Sequence, residues 1–359
     1  MKNKNRNLVY IDGFAGPGHY TDDTGVQQPG SPIRALSAIA ATKGVAGKVS
    51  TFFIEKDPVL YGDLEHSVTQ FHLSNPGIRK PQVANAPFGP ALLSAFEKLE
   101  EQGKKLAPGF LFVDPCGVAG TDFNAITRFL QEKSSEALIF FNLDGVRRIV
   151  GLGDRARGTL PCLLGSERRA ADLIAQVGRC KTSLDRETTI LNFYKQALIE
   201  ETSARFVTLF RVEKESLRST SHYLVHVTSH PLGFRIMKDV MWGLGETNEG
   251  PGAFALQQAS IDDQVGLFPR RDRLARDIVR KVLTNGMKKV DYITTTLPEH
   301  PRVLVASTHF KEVLLDMEAK GELEVLDKSD GSTVMPATKR PKRKGKVTLG
   351  KGYLLRLTK

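Results

Sequence analysis

Short apolar runs alternate with amphipathic segments along the first part of the chain. Each run is bounded by polar or turn residues, which is typical of buried strands, and the segments between them repeat apolar positions with the period of a helix. Ser31 and Pro32, for example, are the expected cap and first-turn proline of the first helix. Strands that alternate with helices indicate an α/β domain with a doubly wound, parallel sheet. The predicted strands lie in NLVYIDGFAG, STFFIEKD, KPQVANA, GFLFVDPCG and EALIFFNLD.

The last two strand patterns of this domain follow a more polar stretch, residues 150–188, and one further helix in ILNFYKQALIEET. ARFVTLFRVE and HYLVHVTSH are separated by only a short polar link, so we expect an antiparallel hairpin. Parallel strands closed by such a hairpin are typical of the Rossmann-like sheet of class I methyltransferases, whereas a nicotinamide enzyme would continue in parallel. A helix in PLGFRIMKDVMWGLG comes next.

Glycines cluster and the periodicity stops in GLGETNEGPGAF, which indicates a domain boundary. We therefore predict a methyltransferase-like domain over residues 1–245, a linker over 246–268 and a second domain over 269–359. The second domain shows two helical patterns and then two strands that enclose a basic loop. This succession is typical of a winged helix-turn-helix, whose second helix is expected from about Ser307 to Lys320.

Length and composition are those of a globular chain of 359 residues with about two domains. No apolar run approaches the ~20 residues that a spanning helix needs, and no apolar segment follows MKNKNRN, so we expect no membrane association and a cytoplasmic location. The three cysteines, Cys116, Cys162 and Cys180, form no CxxC pair and have no histidine at metal-ligand spacing. We therefore predict no metal site.

Basic residues are concentrated in the last quarter of the chain. Residues 270–359 contain 21 Lys and Arg against 11 Asp and Glu, which accounts for +10 of the formal net charge of +11. Such a patch attracts polyanions, so a nucleic acid, DNA or RNA, is the expected partner. A solvated face or a protein-docking winged helix would also explain it. The predicted contacts are Lys311 on the recognition helix and Lys339, Arg340, Lys342, Arg343, Lys344 and Lys346 on the wing.

The first strand runs into a turn of small residues, DGFAGPG. A dinucleotide fingerprint would need a glycine at position 21, which is Thr21. The turn matches instead the acidic-x-G-x-G-x-G loop of S-adenosylmethionine enzymes, with Phe14 in the first glycine slot. We expect the aspartate to orient the cofactor's ammonium group and the glycines to let the backbone approach its methionine part. A tight turn without any ligand is the alternative. The predicted cofactor residues here are Asp12, Gly13, Phe14, Gly16 and Gly18.

The next two strands end in further cofactor candidates. Glu55 ends the second strand, where an ionised carboxylate can accept both ribose hydroxyls. The alternative role for Glu55 is that of a negative charge that stabilises the start of the next helix. Asp57 fits that role better than Glu55 does. Asn85 and Ala86 end the third strand and are expected at the adenine edge. The polar segment 19–30, between the turn and the first helix, is where we expect a lid.

The fourth strand ends in Asp114 and Pro115, the predicted catalytic residues. In amino-methylating enzymes this position carries Asn/Asp-Pro-Pro-aromatic: side-chain and backbone oxygens accept hydrogen bonds from the target amine, and the aromatic ring stacks on a flipped base. Cys116 and Gly117 follow here, so the ring is missing. Either another aromatic, such as Phe123 or Phe88, takes its place, or the acceptor is not a flipped base. We interpret Cys116 as a packing thiol rather than a nucleophile.

Five motifs together resemble a known family. YIDGFAGPG, the GSP before the first helix, FFIEKD, FLFVDPCG and HYLVHVTSHPLGFRIMKDVMW look like those of the three-Cys-motif partner proteins, the TcmP family, over nearly the whole chain. The resemblance implies a methyltransferase-like domain, a winged-helix domain and a three-cysteine-motif protein as a partner. The chain is more distantly similar to ribosomal-RNA adenine methyltransferases. By position, the resemblance carries the cofactor and catalytic roles to Asp12, Gly16, Gly18, Glu55 and Asp114.

Three functions follow from these patterns. The preferred one is an S-adenosylmethionine-dependent methyltransferase that acts on an amino group of a nucleic acid and is targeted by its basic winged helix. The first alternative is a non-catalytic nucleic-acid or partner-binding module on a methyltransferase scaffold, which the missing aromatic favours. The second is a protein methyltransferase that acts on a three-cysteine-motif partner, with the winged helix as its docking surface.

Overall fold

The computed structural model describes residues 7–132, 134–153, 158–213, 220–247, 254–256, 271–300, 303, 305–343 and 346–358. The chain divides into two compact units, residues 1–230 and residues 231–359. Each unit has a buried apolar core of its own.

The first unit alternates strands and helices. Its strands are β1 (Leu8–Asp12), β2 (His19–Thr21), β3 (Gln27–Pro29), β4 (Val49–Glu55), β5 (Gln82–Asn85), β6 (Gly109–Val113), β7 (Glu136–Asn142), β8 (Phe206–Glu213) and β9 (Thr220–Thr228). Its helices are α1 (Ser31–Ala41), α2 (Pro58–Ser74), α3 (Phe88–Glu101), α4 (Phe123–Leu130), α5 (Leu143–Gly151), α6 (Thr159–Leu164), α7 (Glu167–Arg179) and α8 (Ser183–Glu201), with a 3₁₀ turn at Ala46–Lys48. The predicted α/β architecture is confirmed.

Within this unit the main sheet has the strand order β8-β9-β7-β6-β1-β4-β5. The pairs among β7, β6, β1, β4 and β5 are all parallel. β9 runs antiparallel to both β7 and β8, so the predicted mostly parallel sheet with an antiparallel hairpin is confirmed. Because strand order reverses at β1, the carboxyl ends of β1, β4 and β6 face the crevice where ligands bind in open α/β sheets.

Both faces of the sheet are covered by apolar clusters. Ile11, Ile54 and Leu111 belong to the cluster that α3 to α8 complete on one face. Phe53 and Leu64 belong to a smaller cluster with α1 and α2 on the other. This alternation of neighbouring strand residues follows the two-residue period of a strand. At α1 the structure differs from expectation, because Gly30 is the N-cap and Ser31 is already helical.

A buried polar network joins α8 to the sheet behind these clusters. Glu187 is 4 % exposed. Its Oε1 accepts a hydrogen bond of 2.5 Å from the Tyr223 hydroxyl, and its Oε2 accepts one of 2.5 Å from the Arg147 guanidinium. Each carboxylate oxygen therefore has a strong donor, as a buried charge requires. The network connects α5, α8 and β9.

The second unit is smaller and builds a separate sheet. Its elements are α9 (Pro231–Thr247), β10 (Phe254–Leu256), α10 (Arg271–Thr284), β11 (Lys288–Lys289), α11 (Ser307–Ala319), β12 (Leu323–Leu326), β13 (Lys342–Arg343), β14 (Lys346–Val347) and β15 (Leu354–Leu357). Short π and 3₁₀ turns lie at Tyr292–Thr296, Leu297–Glu299 and Ala337–Lys339. β15 pairs antiparallel with both β11 and β12, and β13 pairs with β14. Helix α11 matches the helix predicted from Ser307.

The boundary between the units lies before α9, upstream of the predicted domain end at residue 245. Lys238 on α9 donates hydrogen bonds of 2.5 Å to the carbonyls of Pro298 and Val303. Asp239 accepts one of 2.7 Å from the Ser307 amide. These contacts hold α9 to the C-terminal unit. Within the predicted linker, residues 248–253 and 257–268 lie outside the described residues.

No helix in the described ranges is both long and apolar enough to cross a bilayer. The same ranges contain no group of three or more His, Cys, Asp or Glu side chains that could hold a metal ion. The cysteines are free thiols, with Cys116 and Cys162 exposed and Cys180 half-buried.

Candidate active site

Asp12 ends β1 with its side chain fully buried, at 0 % exposure. Its Oδ1 accepts a hydrogen bond of 3.2 Å from the Phe14 amide, and its Oδ2 has no hydrogen-bond partner among the described residues. Burial raises the pKa of Asp12 to about 6, and the charges of Asp114 and Glu55 contribute to the rise. The Phe14 amide and the nearby Ser31 hydroxyl lower it, although that hydroxyl lies beyond hydrogen-bond distance of Oδ2. Such a carboxylate is stabilised by a cationic partner.

The turn after Asp12 depends on its glycines for two different reasons. Gly16 and Gly18 adopt positive φ angles of 61° and 84°, which disfavour any residue with a Cβ. Gly13 is required by packing instead, because a Cβ there would lie 2.5 Å from Cδ2 of Phe88. The backbone thus passes closely over the Phe88 ring before it bends. The predicted small-residue turn is present.

Glu55 closes the same turn from β4. It is 8 % exposed, and its Oε2 accepts a hydrogen bond of 2.9 Å from the Gly16 amide. Its Oε1 accepts one of 2.8 Å from the Asp57 amide. Asp57 itself caps α2 by accepting hydrogen bonds from Val59 and Leu60, so the helix-capping role falls to Asp57. Each Glu55 oxygen keeps acceptor capacity for a further donor.

Asn85 and Ala86 lie beside Glu55 at the end of β5. The Asn85 side-chain amide donates hydrogen bonds of 3.0 Å and 3.1 Å to the carbonyls of Glu55 and Lys56. The Ala86 amide donates one of 3.2 Å to the Glu55 carbonyl. These bonds fix the end of β5 against the end of β4. Ala86 also lines a largely apolar cavity of about 900 Å³ between α3 and the sheet, to which Asp12, Glu55 and Asp114 do not contribute.

Asp114 follows β6, and Pro115 after it is buried. More than a third of the Asp114 surface is exposed. The protein around the rest of the residue partly removes water from its carboxyl group, which raises the pKa above the ordinary value. Both aromatic rings considered as replacements for the missing stacking ring are about 2 % exposed. Phe123 packs against Tyr194, and Phe88 packs against Phe14. Neither ring is exposed to a base, so of the two alternatives stated above, replacement by Phe123 or Phe88 is not supported.

Three carboxylates converge at one edge of the sheet. β4, β1 and β6 are adjacent and parallel, with Asp12 in register with Phe53 on one side and Phe112 on the other. Glu55 and Asp114 therefore flank Asp12, and their charges act on it. The positions of these three residues at strand ends, together with the motifs around them, predicted the cluster. No sequence pattern predicts the bond between Glu55 and Gly16, which joins residues far apart in sequence.

Comparison with known proteins gives remote structural likenesses only. No protein-family model matches the chain, and no curated protein matches it. The crystal structure of protein LPL1258 from Legionella pneumophila, of the DUF519 family, matches with 12 % identity and a TM-score of 0.42 over 72 % of this chain and 90 % of that one. Precorrin-6y C5,15-methyltransferase from Geobacter metallireducens matches with 12 % identity and a TM-score of 0.28 over 63 % and 81 %.

The segment predicted to be a lid is a hairpin, with β2 paired to β3. At its base, the Gly30 amide donates a hydrogen bond of 2.7 Å to the Gly18 carbonyl. At its tip, Asp22 accepts hydrogen bonds from the Thr24 and Val26 amides, which close the turn. These interactions hold the segment in a defined conformation that begins directly at the glycine turn.

The residues predicted to contact nucleic acid differ in their surroundings. Lys311, Lys339 and Lys342 are exposed. Arg340 is 3 % exposed and pairs with Glu318 of α11, so it holds the segment after α11 in place instead of presenting a charge to solvent. This assignment was wrong, because a basic run in sequence does not reveal which member is buried. Of the remaining predicted contacts, Lys344 and the side chains of Arg343 and Lys346 lie outside the described residues.

Helix α11, the predicted recognition helix, has an exposed surface of mixed charge. Lys311 and Lys320 lie beside the exposed Glu312 and Asp316. Lys320 pairs with Asp316 at 3.0 Å. Residues 336–352, by contrast, contain seven Lys and Arg and no acidic residue. The basic charge of the second unit is therefore strongest around the β13–β14 hairpin.

Proposed function

We propose that this chain is a methyltransferase that uses S-adenosylmethionine. The observation that carries the proposal is the buried Asp12, whose Oδ2 has no partner at hydrogen-bond distance among the described residues and which Glu55 and Asp114 flank. S-adenosylmethionine has a cationic ammonium and a cationic sulfonium, which suit three carboxylates. A nicotinamide dinucleotide would bring a negatively charged pyrophosphate to the same place, where the carboxylates would repel it. The three carboxylates therefore favour S-adenosylmethionine and disfavour a nicotinamide dinucleotide.

Each residue of the site has a role in this proposal. Asp12 pairs with the ammonium group, and Glu55 accepts hydrogen bonds from the ribose hydroxyls while it holds Gly16. Asn85 and Ala86 border the adenine, as does Phe14. The glycines at 13, 16 and 18 keep the turn free of side chains. The strand order, with an antiparallel strand inserted beside the parallel ones, is that expected of a class I methyltransferase sheet and supports the proposal.

Asp114 and the Pro115 carbonyl are proposed to receive the acceptor amine. The bound cofactor supplies an electrophilic methyl group. Two oxygens that accept hydrogen bonds from an amine orient its lone pair toward that group. In the proposed transfer the bond between the methyl group and the sulfonium sulfur would break, and the sulfur would keep the bonding electrons as a neutral thioether. The acceptor nitrogen would gain the methyl group and lose a proton to the Asp114 carboxylate, whose raised pKa favours that uptake.

The affinity for S-adenosylmethionine is expected to fall as the pH is lowered through about 6. Asp12 binds a proton with a pKa of about 6, and only its ionised form attracts an ammonium group. Below this pH the dissociation constant should rise by about tenfold per pH unit. Isothermal titration between about pH 5 and pH 8 measures it, with NAD as a control ligand that should not bind.

Asp12→Asn provides the matched control for this titration. The variant should bind more weakly and without this pH dependence, because the side chain at position 12 no longer titrates. The stability of the ligand-free fold depends on pH in the opposite direction from cofactor affinity. Protonation of Asp12 stabilises the fold at low pH, and this contribution is lost as the pH rises through about 6. Wild-type affinity that does not change with pH would contradict the assignment of Asp12.

We further propose that the acceptor is a nucleic acid and that the second unit is a winged helix. Its order of helix, short strand, helical turns, helix and two strands supports this assignment, with the basic β13–β14 hairpin as the wing. Phosphate contacts by exposed lysines would position the protein without reading sequence. The mixed charge of α11 is the specific observation that favours the alternative, a docking surface for a protein such as a three-cysteine-motif partner.

Replacing both Lys339 and Lys342 by alanine is expected to weaken the salt dependence of binding to a single-stranded oligonucleotide. Each phosphate contact contributes about 0.7 to the slope of log affinity against log salt, so the slope should fall by about 1.4. Fluorescence anisotropy over a series of salt concentrations measures it. A variant with the exposed Lys43 and Lys80 of the first unit replaced is the charge-matched control. Equal slopes in the two variants would favour protein docking.

A further inference from the structure

Two aromatic rings lie at the carboxyl edge of the sheet beyond Asp114. Phe140 of β7 and His222 of β9 stack with centroids 4.6 Å apart and planes at 29°. Both side chains are half-buried. Val113 of β6 pairs with Ile139 of β7, and the two strands run in parallel. The residues that follow are Asp114, directly after β6, and Phe140 of β7, so these two residues lie side by side. The stacked pair therefore belongs to the same edge as the proposed catalytic carboxylate.

The pair lies on the face of the sheet on which the aromatic side chains of β6 are also only half-buried. Ile139 and Phe141 point into the large buried cluster, so Phe140 between them points to the opposite face. Phe110 and Phe112 of β6 share that face by the same alternation and are also half-buried. His222 pairs with Asn142 across the strands and lies diagonal to Phe140, within the reach of aromatic side chains. The Phe140–His222 pair thus lies beside Asp114, although no aromatic residue follows Asp114 directly in sequence.

We propose that the Phe140–His222 pair is the platform on which an unpaired nucleobase stacks while its exocyclic amine meets Asp114. This inference rests on the proposed function. It explains why Cys116 and Gly117 can follow Pro115: the stacking surface comes from β7 and β9 instead. A planar acceptor needs such a surface, whereas the amine of a lysine side chain does not. The basic hairpin of the second unit favours a nucleic acid as the source of the ring.

The test uses the full-length protein and short single-stranded oligonucleotides that carry one 2-aminopurine at successive positions. Stacking on an aromatic ring quenches the fluorescence of this base. We expect quenching at one position with the wild-type protein, and loss of that quenching with Phe140→Leu and His222→Ala. The affinity of these variants for the oligonucleotide should fall by about tenfold. His222→Tyr, which keeps a ring, should restore both signals.

Phe110→Leu is the matched control. Phe110 has the same side chain on the same face, but it stacks on Tyr10 and pairs in register with Glu136, at the other end of β7. It should leave the fluorescence unchanged, and circular dichroism of every variant reports whether it is folded. If His222→Ala, folded, keeps the wild-type quenching, the platform is refuted.

Titration of the same variants with S-adenosylmethionine separates this inference from the proposed function. Cofactor affinity should be unchanged, because neither ring belongs to the glycine turn or to β4. Cofactor binding without base quenching would refute the platform and leave the methyltransferase proposal in place. Base quenching without cofactor binding would support the platform and refute the methyltransferase.

Discussion

Replacing Glu55 by alanine is expected to weaken the binding of S-adenosylmethionine at least about 100-fold. The carboxylate accepts hydrogen bonds from the Gly16 and Asp57 amides and, in our proposal, from two ribose hydroxyls. Hydrogen bonds to a charged group contribute about 1.5–3 kcal/mol each, and every 1.4 kcal/mol is tenfold in affinity. The variant also leaves the Gly16 amide without its acceptor. Isothermal titration of the folded variant measures the loss.

Asp114→Ala is the informative contrast to this variant. In our proposal Asp114 is on the acceptor side, so the substitution should leave cofactor affinity within about threefold of wild type, less than 1 kcal/mol. It should abolish methyl transfer to a nucleic-acid acceptor, because no side-chain oxygen remains to accept a hydrogen bond or a proton from the target amine. Incorporation of labelled methyl groups into total RNA or DNA measures the transfer. Undiminished cofactor binding by Glu55→Ala would refute the ribose assignment.

Replacing Glu187 by alanine is expected to lower the free energy of unfolding by about 3 kcal/mol. The substitution removes the acceptor of the buried Tyr223 hydroxyl and the ion-pair partner of Arg147. A buried polar group that loses its partner costs about 1–3 kcal/mol, and breaking a buried ion pair costs more than its formation contributes. The partial exposure of the Arg147 side chain, 27 %, limits the second contribution. Urea denaturation followed by circular dichroism measures the change.

Glu187→Gln separates the charge from the hydrogen bonds. Its amide oxygen can still accept one of the two hydrogen bonds, so about half of the destabilisation should remain. Glu97→Ala on the exposed surface of α3 is the control, expected within about 0.5 kcal/mol of wild type. If Glu187→Ala were as stable as that control, the network would have no structural importance.

The strands of the sheet could be predicted because each is a short apolar run between turn residues. β1, β4, β5, β6 and β7 all match predicted strands, and the close spacing of β8 and β9 indicated their antiparallel pairing. The polar stretch at residues 150–188 was not resolved into helices by pattern, yet it contains α6 and α7. Helix α6 has only six residues, too few to show a helical period. Helix α7 does repeat apolar positions at helical spacing, at Ala170, Leu173 and Val177, and could have been predicted.

The candidate site was predictable in part for a geometrical reason. Carboxyl ends of adjacent parallel strands meet, so residues chosen at strand ends come together in space. Which partner each side chain finds is decided by tertiary packing. That is why the unpartnered oxygen of Asp12, the buried state of Arg340 and the stacking of Phe140 on His222 had no signal in the sequence.

The two hydrogen bonds that the Gly16 and Asp57 amides donate to Glu55 have a consequence for binding kinetics. Both carboxylate oxygens are held in place before any ligand arrives. A ligand that meets a preorganised acceptor loses less conformational entropy on binding, and its association does not wait for a loop to fold. If Glu55 binds the ribose as proposed, diffusional encounter would limit the association rate, and related ligands would differ mainly in their dissociation rates.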